Sequence, residues 1–266
     1  MSTTTKLAAP ISQSERIVIL DALRGIAILG ILLMNIPGFA LPSPAYGDPT
    51  LMNEMGTINF KTWYFVDWFL EGSQRALFSM LFGAGMVLFI SRLENKTDGL
   101  WPADYFFRRQ LWLLAFGLFN AFVLLWFWDV LFHYACCGMI LFAFRRLPVK
   151  KLLIAAAVCL VLQTARDNVD FYRDKKVITR GEMIAKMDTT QTKLTEIQKD
   201  QLQEMTGFKE KTSPEGKKKS MQKSLDKVRG DYAGFYEYQS ERSYNSEVKY
   251  LYFGLWDILI FMFLGM

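Results

Sequence analysis

Ionisable side chains are costly inside apolar helices, so the charges that interrupt the hydrophobic runs of this chain mark where chemistry would be done. Asp21 and Arg24 lie three residues apart in a run that is otherwise apolar, save for Asn35, from about Ile17 to Ile36. At that spacing they share a helix face. Either they neutralise each other at the start of the run, or they offer a polar ligand a carboxylate and a guanidinium. Asp67, Glu71 and Arg75 recur at intervals of four, which stacks them on one face of a continuous helix and presents Arg75 to a carboxylate or phosphate. The competing reading is a charged stripe reaching to a membrane interface. His133, the sole histidine, follows Asp129 by four residues. A carboxylate that orients an imidazole is the usual support of a general base. Alternatively, Asp129 caps a helix N-terminus and His133 is merely interfacial.

Other chemistries are missing from the sequence. It has no phosphate-cradling loop of the Gly-x-x-x-x-Gly-Lys type, no Gly-x-Ser-x-Gly elbow and no His-Glu-x-x-His zinc motif. With one histidine, and with Cys136, Cys137 and Cys159 all inside apolar runs, neither a metal site nor a disulfide framework is expected. No tightly bound cofactor is expected either. The net charge of +5 does not point to nucleic acid, because many basic residues flank apolar segments, where they anchor and orient helices.

The elements that must position these residues are hydrophobic runs. The chain is 52% hydrophobic, but unevenly so: the first 165 residues hold most of the apolar mass, and Arg166 to Lys249 hold more than half of the lysines and arginines. The runs are apolar all round, as lipid-facing helices are. The first, about Ile17 to Ile36, follows a polar leader ending at Arg16 without a small-residue cleavage site, so it reads as an uncleaved membrane helix stopped by Pro37-Gly38. The second starts near Thr62 and is fully apolar from Ala76 to Ile90, with Gly83 and Gly85 suited to close packing. The third is Leu111 to Trp128, the fourth Val130 to Phe144, and the fifth Leu152 to Leu162. A sixth begins near Tyr250 and is expected to be cut off at Met266. The expected fold is all-α, a polytopic helical membrane protein in contact with the lipid bilayer. Residues 1–165 form a membrane domain of about five helices, 166–248 a polar insert, and 249–266 the start of a further transmembrane helix. Within the insert, Leu194, Ile197, Leu202, Met205 and Phe208 form a partial helical stripe. It breaks at Ser213-Pro214-Glu215-Gly216 and resumes through Met221, Leu225, Val228 and Tyr232. The spacing predicts a helical hairpin, against the alternative of a solvated linker.

The stretch Leu20-Asp21-Ala22-Leu23-Arg24-Gly25-Ile26-Ala27-Ile28-Leu29-Gly30-Ile31 resembles the opening of the YeiB-like family of bacterial membrane proteins. Asn35, Leu77 to Gly85, Trp128-Asp129-Val130-Leu131 with Tyr134 and Gly138, then Tyr232, Gly234, Arg242 and Phe261 to Met266 also fit its pattern. The resemblance implies a longer protein whose C-terminal helices are partners of this region. The Asp-x-x-Arg-Gly opening is similar, more distantly, to transmembrane acyltransferases of the acyltransferase-three and heparan glucosaminide acetyltransferase types. Those enzymes use a histidine to move an acyl group from a cytoplasmic CoA donor to an outward acceptor. That similarity implies acyl-CoA as donor, an acceptor of unidentified structure, Asp21 and Arg24 at the donor mouth, and Asn35, Arg75 and Arg242 as further substrate contacts. Asp129 and His133 would then be the catalytic pair. In the acyltransferase-three pattern a histidine closes the first helix. Asn35 stands there instead and cannot serve as a base. A transporter of a small solute built on buried charges, and a noncatalytic scaffold docking through the insert, are the other two readings.

Basic loops set the expected orientation. Arg92, Lys96, Arg108 and Arg109 join segments two and three, and Arg145, Arg146, Lys150 and Lys151 join four and five. The opposite side has only Lys61 in its first loop. The positive-inside rule places the N-terminus in the cytoplasm, in a bacterial inner membrane given the resemblance, with the Asp129 turn and the insert outside. In intact cells, a cysteine substituted for Ser213 should react with a membrane-impermeant reagent. Labelling that requires opened membranes would reverse the assignment.

Overall fold

The computed structural model describes residues 17–97, 99–187, 194–249 and 251–266. The polar leader up to Arg16, and Tyr250 at the expected start of the sixth segment, lie outside them. Every regular element among the described residues is helical. In order these are α1 (Val18–Ala40), α2 (Ser43–Tyr46), a 3-10 turn (Pro49–Met52), α3 (Ile58–Leu70), α4 (Ser73–Lys96), α5 (Trp101–Phe122) and α6 (Leu131–Leu141). They continue with a 3-10 turn (Phe142–Phe144), α7 (Val149–Ala185), α8 (Glu196–Thr212), α9 (Pro214–Val228), α10 (Tyr232–Tyr244), a π-helical turn (Asn245–Lys249) and α11 (Leu251–Gly265).

Several boundaries differ from the sequence reading for identifiable reasons. Helix α1 passes through Pro37 and ends at Ala40; proline lacks only its own N–H, and the helix continues for less than one turn beyond it. The second segment is two helices, because Gly72 takes a φ of 76° between α3 and α4, a conformation that favours glycine. The short fifth run is the first part of α7, one helix of 37 residues. No proline or glycine interrupts it before Gly181, and its polar half is supported by neighbours such as Gln163 donating to Asp167 and the Arg173–Asp170 pair.

Among the described residues three stretches are long and apolar enough to cross a membrane: Val18–Ala40, Ile58–Lys96 and Val149–Ala185. Helix α10 with its π turn and α11 make a fourth if that bent pair is one span. The expected third and fourth segments fall short of this standard. Helix α5 carries Asp104, Arg108, Arg109 and Gln110 in its first half, and α6 has 11 residues.

The chain divides into two compact units. The first, from the described residues of 17–35, 65–162 and 232–266, holds a core of Met86, Ile90, Phe106, Tyr134, Leu141 and Met262, among others. Glycines set its closest helix contacts. A side chain on Gly83 would strike the Met262 carbonyl, and one on Gly265 the Met80 carbonyl, so α4 and α11 meet backbone to backbone at two points. A Cβ on Gly117 would lie 2.5 Å from the Phe132 amide nitrogen, bringing α5 onto α6. Contacts of this kind suit helices in lipid, where apolar side chains gain little from leaving the solvent and close approach adds dispersion.

The second unit comprises residues 36–64 and the described residues of 163–231. Ser213 ends α8 and caps α9, accepting from the Gly216 N–H at 3.0 Å. Thr195 and Gln198 form a reciprocal capping box on α8. Met205 of α8 packs into the space left by Gly181 of α7. The loop after α1 joins the insert here, for Lys217 Nζ sits 2.7 Å from Asp48 Oδ2.

The Lys217 ammonium, and then the Thr50 hydroxyl, hold the Asp48 carboxyl below its ordinary range. A carboxylate stabilised in the folded state contributes fully above its unfolded value of about 3.9 and loses that contribution as pH falls through the lowered value. The pair is partly exposed and worth under about 1 kcal/mol. Hydrogen exchange at the start of α9, corrected for intrinsic rate, should therefore accelerate only in strong acid. Asp48→Asn should flatten that response, and an unchanged acid response would remove the pair as its cause.

Candidate functional site

Helix α5 ends at Phe122, and Leu125 takes a φ of 59° in the turn that follows. This reversal brings Asp129 back toward α5. Asn120 Nδ2 donates to Asp129 Oδ1 at 2.7 Å, and the Phe132 N–H donates to Oδ2 at 3.1 Å. Asp129 thus caps α6 with both oxygens engaged. The imidazole one turn later faces a different acid. His133 Nδ1 lies 3.2 Å from Glu247 Oε2, with His133 9% exposed and Glu247 fully buried. Neither Glu247 oxygen has another hydrogen-bond partner among the described residues.

Glu247 reaches His133 because α10 is anchored and then shifted in register. Ser243 Oγ donates to the Ala121 carbonyl at 2.7 Å, and Gln239 Nε2 to the Leu125 carbonyl at 3.4 Å. Arg242 stacks on Phe127 at 3.6 Å from the ring centroid and donates to Gln239 Oε1. The π turn over Asn245–Lys249 then adds a residue to the helical repeat. The sequence reading missed Glu247. Its only signal was an acid close to an apolar run, and its direction depends on the π turn.

Arg75 is paired across helices, with Nη1 2.8 Å from Asp257 Oδ2 on α11. The proposed ladder of Asp67, Glu71 and Arg75 does not form on one helix face, because the break at Gly72 separates Asp67 on α3 from Arg75 on α4. Beneath Arg75, Ser79 Oγ donates to the Arg75 carbonyl at 2.9 Å and lies 2.6 Å from the Tyr134 hydroxyl. Tyr134 packs its ring against Phe78 and Phe82.

Further along α4 a cavity of about 300 Å³ is lined by Arg24, Phe78, Phe82, Gly85, Arg109 and Gln110, among others. Arg24 Nη1 is 3.2 Å from Asp21 Oδ1, so the pair forms and its cation also faces the cavity. A Cβ on Gly85 would sit 2.5 Å from Arg24 Nη2, so a larger residue there would displace the guanidinium. Arg109 lies over the Phe89 ring at 5.1 Å. Gln110 is 2% exposed, and its Oε1 faces Gly138 of α6 without a hydrogen-bond partner among the described residues. Asn35 is half-buried on α1, eleven residues past Arg24, roughly 16 Å along the helix. Of the sequence candidates, the structure therefore groups Asp21 with Arg24, places Asp129 next to His133 in chain but not in contact, and sets Arg75 and Arg242 on separate partners. Arg109 and Gln110 were not singled out by the sequence; both lie at the edge of a basic loop, where topology explains them without a site. Among the described residues no group of His, Cys, Asp or Glu could hold a metal ion.

Comparison with known proteins finds similarity over part of the chain. It is 35% identical over 149 residues to the uncharacterised protein YeiB of Escherichia coli K12, covering 56% of this chain and 36% of that protein. The chain is similar to YeiB. It is also 38% identical over 151 residues to the uncharacterised protein YxaH of Bacillus subtilis strain 168 (55% of this chain, 37% of that protein). A 39.9 kDa protein encoded beside an amylase in Bacillus acidopullulyticus is 33% identical over 153 residues, 57% of this chain and 40% of that protein. The match thus spans about two-fifths or less of each curated relative. These relatives support the resemblance to YeiB-like proteins, and the apolar helices fit a membrane protein. No protein-family model matches the chain, and no solved structure does.

The capping role of Asp129 is testable through stability. Asp129→Ala removes acceptors from the Phe132 N–H and the Asn120 amide and should cost about 1 kcal/mol. Asp129→Asn, which keeps one oxygen, should cost less. Thermal unfolding of the purified protein measures both; equal melting temperatures for all three forms would show that the cap contributes nothing.

Proposed function

We propose that this region belongs to a membrane protein that transfers an acyl group from acyl-CoA, bound from the cytoplasmic side, to an acceptor on the opposite side. The observation that carries the reading is the pair of guanidiniums, Arg24 and Arg109, facing one cavity of about 300 Å³. Asp21 offsets part of that charge, and the remainder suits a phosphate-bearing donor, which planar guanidiniums bind through forked hydrogen bonds. The cavity lies toward the end of the helices flanked by Arg92, Lys96, Arg145 and Arg146, the end that the positive-inside rule assigns to the cytoplasm of a bacterial inner membrane. His133 lies toward the other end. On α4, Gly85 beside Arg24 and Ser79 beside Tyr134 are six residues apart, about 9 Å of helix rise, a distance that the flexible pantetheine arm covers.

In this reading His133 takes the proton from an acceptor hydroxyl or amine. The acceptor oxygen or nitrogen bonds to the acyl carbon, the thioester carbon–sulfur bond breaks, and CoA leaves as the thiolate. A second reading, a solute permease, draws on the 55° bend between α10 with its π turn and α11, since broken helices with buried acids serve transporters.

The test uses the full-length protein in liposomes with labelled acetyl-CoA. Label should move to an acceptor or to water with release of CoA thiol. Arg24→Lys should weaken donor binding about tenfold, because a point charge replaces a planar fork. His133→Gln should cut turnover by about 10² to 10⁴ while insertion and donor binding persist. Absence of both binding and thiol release in the unaltered protein overturns the proposal. Solute flux without covalent transfer favours the permease.

A further inference from the structure

Glu247 is the most deeply buried acid of the first unit. It is fully buried, its two oxygens have no hydrogen-bond partner among the described residues beyond the approach of His133, and His133 Nδ1 stands 3.2 Å away. Burying a carboxylate without donors is costly, and a structure keeps such a group only where its neighbour answers it. The nearby alternatives are already committed. Asp129 is held by Asn120 and the Phe132 N–H, Arg75 by Asp257, and Arg242 by Phe127 and Gln239. The other titratable group close to Glu247 is the Cys136 thiol on the same helix as His133.

We propose that Glu247 is the positioning residue of His133: it accepts the Nδ1–H, fixes the neutral ring as the Nδ1-protonated tautomer, and leaves the Nε2 lone pair as the proton acceptor. Gly254 of α11 stands beside the other edge of the ring, where a Cβ would meet His133 Cδ2 at 3.7 Å, an ordinary contact. The π turn is what delivers Glu247 to this position, in keeping with π turns occurring at functional sites. This rests on the acyl-transfer reading only for the use made of Nε2; the contact itself does not.

Nitrogen NMR on full-length protein labelled at histidine, with His133 assigned by the signal lost in His133→Gln, reads the tautomer directly. The expected result is a neutral His133 protonated at Nδ1 in the unaltered protein, and loss of that preference in Glu247→Leu, which offers the Nδ1–H no acceptor. Thiol release from acetyl-CoA should fall about tenfold in Glu247→Gln, less than the 10² to 10⁴ expected on removing the base. An Nε2-protonated His133 in the unaltered protein overturns the proposal without any variant having to fold. So does a tautomer that Glu247→Leu leaves unchanged. If the unaltered protein releases no thiol, the acyl-transfer reading fails, and the tautomer measurement still decides the role of Glu247.

Discussion

The backbone contact between α4 and α11 is the constraint on which the rest of the first unit depends. Gly83 leaves room for the Met262 carbonyl and Gly265 for the Met80 carbonyl, so the two helices meet closer than larger side chains there would allow. That approach sets Asp257 against Arg75. Because α11 continues the π turn, it also fixes where Glu247 enters the bundle. A bulky residue at either glycine would therefore disturb two ion contacts as well as one packing seam.

Buried charge organises the remainder. On the side of the Asp129 turn three ionisable groups have defined partners: Asp129 its donors, Arg75 its acid, and His133 its acid. On the basic side Arg24 and Arg109 share a cavity with one nearby carboxylate, Asp21. Inside a low-dielectric bundle, paired charges mainly specify geometry, whereas an excess of one sign creates a demand for a ligand. This asymmetry separates an end of paired charges from a basic end within one helical unit.

The second unit follows a different logic. Its helices carry many charges and few buried side chains, and it is held by caps, by the Met205–Gly181 contact and by single ion pairs such as Lys217–Asp48 and Lys209–Glu182. Exposed pairs of this kind contribute little each. The insert's helices therefore depend on capping and on the few apolar contacts, with α7 carrying the chain from an apolar run into the insert without a break.

The sequence by itself determined that the chain is helical, where most apolar runs lie, that a break falls at Ser213-Pro214, and that Asp21 and Arg24 share a face, because these follow from local periodicity, capping chemistry and i, i+3 spacing. It could not assign His133 its partner. Spacing pointed to Asp129, four residues away, but the turn at Leu125 spends that carboxylate on the α6 N-terminus, and the acid that meets the imidazole is more than a hundred residues distant. Likewise the Asp67, Glu71 and Arg75 ladder assumed an unbroken helix, which Gly72 denies, and Arg75 finds Asp257 instead. Arg109 and Gln110 read locally as part of a basic loop until α1, α4 and α5 close around one cavity. In each case the deciding contact joins residues far apart in the chain, and only the packing of helices against one another, set by where glycines let backbones touch, brings them within reach.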